Sequence, residues 1–131
     1  MATSDHNKFF YLFDGIAEGG LSEETIKIIR SFIATENLYA SAIREIETKL
    51  ENLNSEFRYM HERNPIQHIT SRVKSPTSIL NKLLRRGKDI SVRSARENLT
   101  DIAGVRVTCS YISDIYLIYN MLISQNDIQL V

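Results

Sequence analysis

Arg72 and Lys74 stand two residues apart, and Ser78, Lys82 and Arg85 follow with steps of four and three. Arginine grips phosphate oxygens through two parallel N–H bonds, lysine neutralises them as a point charge, and a hydroxyl adds one more hydrogen bond. Residues two apart on a strand project to the same side. Residues three or four apart on a helix share a face. A strand end followed by a helix start would therefore bring cations from both elements, a hydroxyl and a helix N-terminus onto one polyanion. Downstream, "DIAGVR" (101–106) sets Asp101 just before a strand. A lone carboxylate beside a positive site would be held by the cations, or would hold Mg²⁺ that bridges to phosphates. Gly104 lets a backbone approach closely, and the planar guanidinium of Arg106 could stack on a base.

The charge distribution agrees. The chain of 131 residues is neutral, with 16 basic and 16 acidic side chains. Residues 1–71 hold 7 basic and 11 acidic groups, residues 72–106 hold 9 and 3, and residues 107–131 add only Asp114 and Asp127. Positive charge gathered in one segment suggests a local polyanion site rather than a coat for duplex DNA. A solvated basic face is the plainer reading of the same residues, and it is the one given to Arg86, Lys88, Arg93 and Arg96. Likewise Ser78 could be an ordinary polar helix position, Asp101 an N-cap or salt-bridge partner, and Gly104 a strand-entry residue.

Other chemistries find no support. There is no Walker loop, no GxGxxG, no HExxH and no Cys/His zinc spacing, and His6, His61 and His68 lack ligand spacing. Cys109 is single, read as a reduced thiol in a strand. The N-terminus lacks a secretory pattern, and no apolar run is long enough to cross a bilayer. A cytoplasmic protein without membrane attachment is expected.

The elements that must carry these residues follow from period and punctuation. Residues 5–17 read as a short amphipathic helix stopped by "EGG" (18–20). Ser22 reads as an N-cap with Glu23 and Glu24 in the first turn. A helical pattern runs from there to about Arg63, with a break expected near 34–37. Tyr39, Ile43, Ile46, Leu50, Leu53, Phe57 and Met60 form one stripe along it. Pro65 closes the pattern. "IQHITSRV" (66–73) reads as a strand. "SPTSILNKLLRRG" (75–87) reads as a helix, with Ser75 as N-cap, Pro76 at the first position and Gly87 as stop. Residues 88–98 read as a polar loop. A second strand is expected over 104–112, then a helix capped by Ser113. "DIQLV" (127–131) is expected to begin a third strand, and Tyr111, Tyr116 and Tyr119 read as packing residues. The expected organisation is a helical region over 1–64, for packing and oligomerisation, and an α+β domain over 65–131. A sheet of so few strands has open edges, which suggests the first part of a longer domain.

"SRVKSPTSILNKLLRRG" (71–87) and "DIAGVRVTCSYISDIYLIYNML" (101–122) together resemble the RelA/SpoT-type alarmone synthetases, above all the small stand-alone GTP pyrophosphokinases. The resemblance covers roughly residues 56–131. It implies transfer of pyrophosphate from ATP to the 3′-hydroxyl of GDP or GTP, giving (p)ppGpp and AMP. It implies an α+β fold: a helical N-terminal extension plus the first half of a nucleotidyltransferase-like (polymerase-β-like) mixed sheet flanked by helices. By position Arg72, Lys74, Ser78, Lys82 and Arg85 would hold the ATP phosphates, Arg72 and Arg106 would sandwich the adenine, and Asp101 would be the catalytic carboxylate that binds Mg²⁺. The family's second metal-binding glutamate has no match here, since neither Asp114 nor Asp127 corresponds to it. The segment that holds the guanine nucleotide has no match either. The chain is thus expected to carry the ATP-binding half of a site, to make no (p)ppGpp alone, and to form a homo-oligomer. Two other classes compete: a single-stranded RNA-binding module using the same cations, and a helical assembly module without catalysis.

Overall fold

The computed structural model describes residues 22–131. The helix expected over 5–17 and its glycine stop lie outside the described residues. Helix α1 (Glu23–His61) is followed by strand β1 (Ile66–Val73), helices α2 (Pro76–Arg85) and α3 (Val92–Asn98), strand β2 (Ala103–Cys109) and helix α4 (Ile112–Ile123). The fold is α+β. β1 and β2 form a two-stranded sheet. The amide of Lys74 donates to Ile102 O (2.7 Å) at one end and that of Ser110 to Pro65 O (3.1 Å) at the other, so the strands run antiparallel.

Five expectations are corrected. The break near 34–37 does not occur: α1 contains no glycine or proline, and Phe32 and Thr35 are buried along it. The Thr35 hydroxyl, which could have competed with the helix, donates to Ser31 O at 2.8 Å on the helix itself. Residues 92–98 are helix α3 rather than loop, capped by Ser91, whose Oγ accepts from the Ser94 amide at 3.0 Å. "DIQLV" is not a strand. A ladder needs a partner; the chain instead turns at Gln125–Ile128, and Lys49 Nζ holds Gln125 Oε1 (2.9 Å) and Asp127 Oδ2 (2.8 Å). The second strand also ends earlier than expected, at Cys109, and Tyr111 rather than Ser113 is the cap residue of α4.

The described chain divides into two compact units. The first comprises α1 as far as Ala40 together with Val73–Ala103. Its core is Phe32 of α1, Ile79 and Leu83 of α2, Ala95 of α3, and Leu99 and Ile102. Ile79 and Leu83 are wholly buried; burying such a side chain contributes about 1.5–3 kcal/mol. The second comprises Ser41–Arg72 and Gly104–Val131. Leu50, Ile66 and Ile118 form its centre, with Ile46, Ile69, Val105 and Val107 packed around them. The expected stripe on α1 is therefore core-facing at Leu50 and Leu53, while Met60 at its end is exposed.

The joint between α1 and β1 lies within the second unit. Glu62 ends the helix in the left-handed region (φ 55°), a conformation that costs a non-glycine residue on the order of 1 kcal/mol. It persists because the chain is pinned on both sides of it. Asn54 Oδ1 accepts from the Ile66 amide at 3.0 Å. Arg63 makes a two-pronged pair with buried Asp114 (2.9 and 2.7 Å). The Arg63 guanidinium lies 5.2 and 5.4 Å from the Phe57 and Tyr111 ring centres.

Candidate nucleotide site

In the first unit the site is built on the start of α2. Ser75 Oγ accepts from the Ser78 amide at 3.2 Å and its hydroxyl donates to Ser78 Oγ at 2.9 Å, so both serines belong to the cap. Pro76, lacking an N–H, sits where none is needed. The α2 stop is a Schellman turn: Lys88 N donates to Leu83 O, Gly87 N to Leu84 O, and Gly87 takes φ 61°. With Ile79 and Leu83 turned into the core, Lys82 is left on the open side. Its Nζ lies 2.7 Å from Asp101 Oδ2.

Lys74 completes the cluster. Its backbone is pinned by the bond to Ile102 O, and its Nζ lies 3.0 Å from the same Oδ2. Both lysines are mostly withdrawn from water, with side chains 15% and 19% exposed, against 33% for Asp101. Screening is weaker there than at a surface pair. The hydrogen bond from Lys82 and then that from Lys74 hold the Asp101 carboxyl far below the usual carboxylate range, against the opposing effect of burial. Asp101 is thus an anion at any physiological pH. Arg85, one turn beyond Lys82, is exposed at the end of α2.

In the second unit Arg72 and Arg106 line one open cavity of about 440 Å³ together with Thr70, Ser71, Gly104 and Val105. Both arginines are exposed along it. A Cβ built on Gly104 would meet nothing within 4 Å. No described residue approaches the glycine closely, and the space in front of it is open among the described residues.

Four other charged residues have structural partners. Arg86 donates to Asn98 O at 3.1 Å and so closes the end of α3. Arg93 pairs with Glu97 one turn on at 2.9 Å, both side chains largely exposed. Asp114 is committed to Arg63, whose hydrogen bonds hold its carboxyl below the usual range, and Asp127 to Lys49. Among the described residues no group of three or more His, Cys, Asp or Glu gathers as a metal site. Asp101 alone, a fixed hard-oxygen donor, suits Mg²⁺, which commonly takes one or two carboxylates and fills its shell with phosphate oxygens and water. Sequence reasoning missed the Arg63–Asp114 clamp, which joins residues 51 apart in the chain. It also missed α3, although Val92, Ala95 and Leu99 carry a helical spacing after Ser91.

The fold is α+β, an antiparallel strand pair flanked by helices, with a lysine-held aspartate in the first unit and a pair of arginines along a cavity in the second. Residues 71–131 match the family model described as the region found in RelA / SpoT proteins. The chain is 44% identical over 94 residues to GTP pyrophosphokinase YwaC of Bacillus subtilis (strain 168), a match covering 72% of this chain and 45% of that protein. It is similar to the crystal structure of small alarmone synthetase 2 of Bacillus subtilis, with a TM-score of 0.62 and 39% identity over 77% of this chain and 50% of that one. It is also similar to small alarmone synthetase 1 of Bacillus subtilis bound to AMPCPP (TM-score 0.58, 33% identity, 71% and 50% covered). The same enzyme bound to its product pppGpp matches with a TM-score of 0.59 and 33% identity over 71% of this chain and 47% of that one. This is a RelA/SpoT-type chain, related to the small alarmone synthetases. The match spans less than half the length of the pyrophosphokinase. No described helix is long and apolar enough to cross a membrane.

Proposed function

We propose that this chain carries the ATP-holding part of a cytoplasmic (p)ppGpp synthetase, in which residues 65–131 belong to the synthetase domain and residues 1–64 serve packing and oligomerisation. The reaction moves the β,γ-pyrophosphoryl group of ATP. A bond forms between the 3′-oxygen of GDP or GTP and the β-phosphorus, the bond from that phosphorus to the α-phosphate oxygen breaks, the hydroxyl proton passes to solvent, and AMP leaves. Such transfers need positioning and charge neutralisation more than covalent help from the protein. Lys74, Lys82 and Arg85 would neutralise the phosphates, with Ser78 as a hydrogen-bond partner. Arg72 and Arg106 would take the adenine between planar guanidinium groups. Asp101 would hold Mg²⁺, which when bound with the nucleotide offsets charge on its phosphate oxygens.

The observation that carries this reading is the convergence of Lys74 and Lys82 on one carboxylate oxygen, at 3.0 and 2.7 Å, in a relative of enzymes named GTP pyrophosphokinase. The AMPCPP and pppGpp of the solved relatives support nucleotides as ligands. Titration calorimetry with Mg·AMPCPP tests it. Saturable binding that Asp101→Asn and Lys82→Ala each weaken is expected. Salt-sensitive binding of single-stranded RNA without any nucleotide binding would favour the RNA-module reading instead. Because the acceptor-side residues have no match in this sequence, mixing radiolabelled ATP and GDP with the chain alone is expected to give no (p)ppGpp.

A further inference from the structure

Asp101 Oδ2 is shared by two ammonium groups, at 3.0 and 2.7 Å. A bare divalent cation approaching that oxygen would meet two positive charges at ion-pair distance, in surroundings that screen them weakly. Nor would it find compensation in further protein ligands, since no set of three ligating side chains gathers among the described residues. A polyphosphate changes both conditions. It offers Lys74 and Lys82 oxygens that carry more charge than one carboxylate, and it brings metal ligands of its own. We infer that Lys74 and Lys82 lock Asp101 against free divalent cations, so that the metal is admitted only together with a polyphosphate. This rests on the reading of Asp101 as a metal ligand proposed above. The lysines are then positioning residues toward the metal as well as phosphate binders. Metal and nucleotide are coupled through them, each raising the affinity for the other by the same factor.

The geometry explains why two lysines are used. Lys74 comes from a strand end whose backbone is tied to Ile102 O, next to Asp101, and Lys82 from a helix whose opposite side is buried. Neither ammonium can leave the carboxylate by a shift of its backbone without disturbing the pairing or the core. A competing anion would favour release.

Mn²⁺ line broadening in ¹H–¹⁵N spectra of the 131-residue chain, with no nucleotide present, tests this. In the wild type, Mn²⁺ should broaden the amides of Asp101 and Ile102 no more than it does in Asp101→Asn. The Lys74→Met/Lys82→Met variant keeps both apolar stems and should show several-fold greater broadening at these amides, lost again when Asp101→Asn is added. Each single lysine variant should fall between, and these carry the comparison if the double variant does not fold. Equal broadening in wild type and lysine variants overturns the inference, and so does broadening in neither. Failure of Mg·AMPCPP to bind would strike the function proposed above, not this comparison, which contains no nucleotide.

Discussion

Lys82 has two partners to choose between, the carboxylate it holds and the phosphate it is proposed to hold, and the exchange sets its energetic weight. Removing a charged hydrogen bond costs about 1.5–3 kcal/mol, so Lys82→Ala or Arg72→Ala should weaken AMPCPP binding by roughly 10- to 150-fold in calorimetry. Unchanged affinity in either variant would remove that residue from the site. Gly104 gives a sharper test, because a methyl group there touches nothing among the described residues. Gly104→Ala should leave the thermal midpoint unchanged or slightly raised, since it narrows the unfolded ensemble. The same methyl group would intrude on the cavity lined by Arg72 and Arg106 and should reduce nucleotide affinity. A variant that binds as well as wild type would show that nothing approaches Gly104. Spacing marked Arg72, Lys74, Lys82 and Asp101 as a candidate set, because charge type and helical or strand period are written in sequence, and Lys74 and Lys82 do meet at Asp101. That both lysines would choose one oxygen of Asp101 depends on rotamers and on the tie between Lys74 and Ile102, which no spacing encodes.

The elements divide into those stabilised by local chemistry and those stabilised by distant contacts. Helix α2 was legible from end to end because Ser75, Pro76 and Gly87 act within their own turns. Its anchor is Leu83, wholly buried against Phe32, Ile79 and Leu99. Leu83→Ala should cost about 2–5 kcal/mol, read as a lowered urea midpoint; a cost below about 1 kcal/mol would mean that the helix does not rest on this core. Helix α3 was not legible, since its charged residues mask Val92, Ala95 and Leu99, and a seven-residue helix holds only through packing. The start of α4 depends on Asp114, whose folded-state pKa is depressed first by its hydrogen bonds from Arg63. A depressed carboxyl contributes stability above its unfolded pKa, about 3.9. That contribution is lost as pH falls through the lower folded value. Asp114→Asn should therefore lower the urea midpoint at pH 7, and its gap to wild type should shrink as the pH drops below about 4. A gap that stays constant with pH would assign the loss to something other than the charge.

At the scale of the molecule, α1 is the element that composition alone misjudges most easily. Its stripe looks like a zipper for another subunit, yet Tyr39 packs against the core of one unit and Leu50 lies in that of the other. Deleting residues 1–64 would remove core along with helix, so assembly is better tested by charge substitutions at exposed apolar positions such as Leu38 and Met60. If α1 mediates the proposed oligomer, Leu38→Lys or Met60→Lys should lower the mass in sedimentation without lowering the melting temperature. An unchanged mass in both would place assembly elsewhere. The terminal "DIQLV" misled for a related reason: β-type composition makes a strand only where an edge receives it.

Lys74, Lys82 and Asp101 are proposed to be where a nucleotide's phosphates come to rest, and every functional role assigned above depends on it. Mapping ¹H–¹⁵N shift changes on titration with Mg·AMPCPP tests this most directly. The largest changes should fall at Lys74, Ser78, Lys82 and Asp101, with a second group at Arg72, Gly104 and Arg106. Changes gathered instead around the polar cavity of Lys88, Ser91, Arg93 and Asn98, with residues 74–82 unmoved, would contradict it.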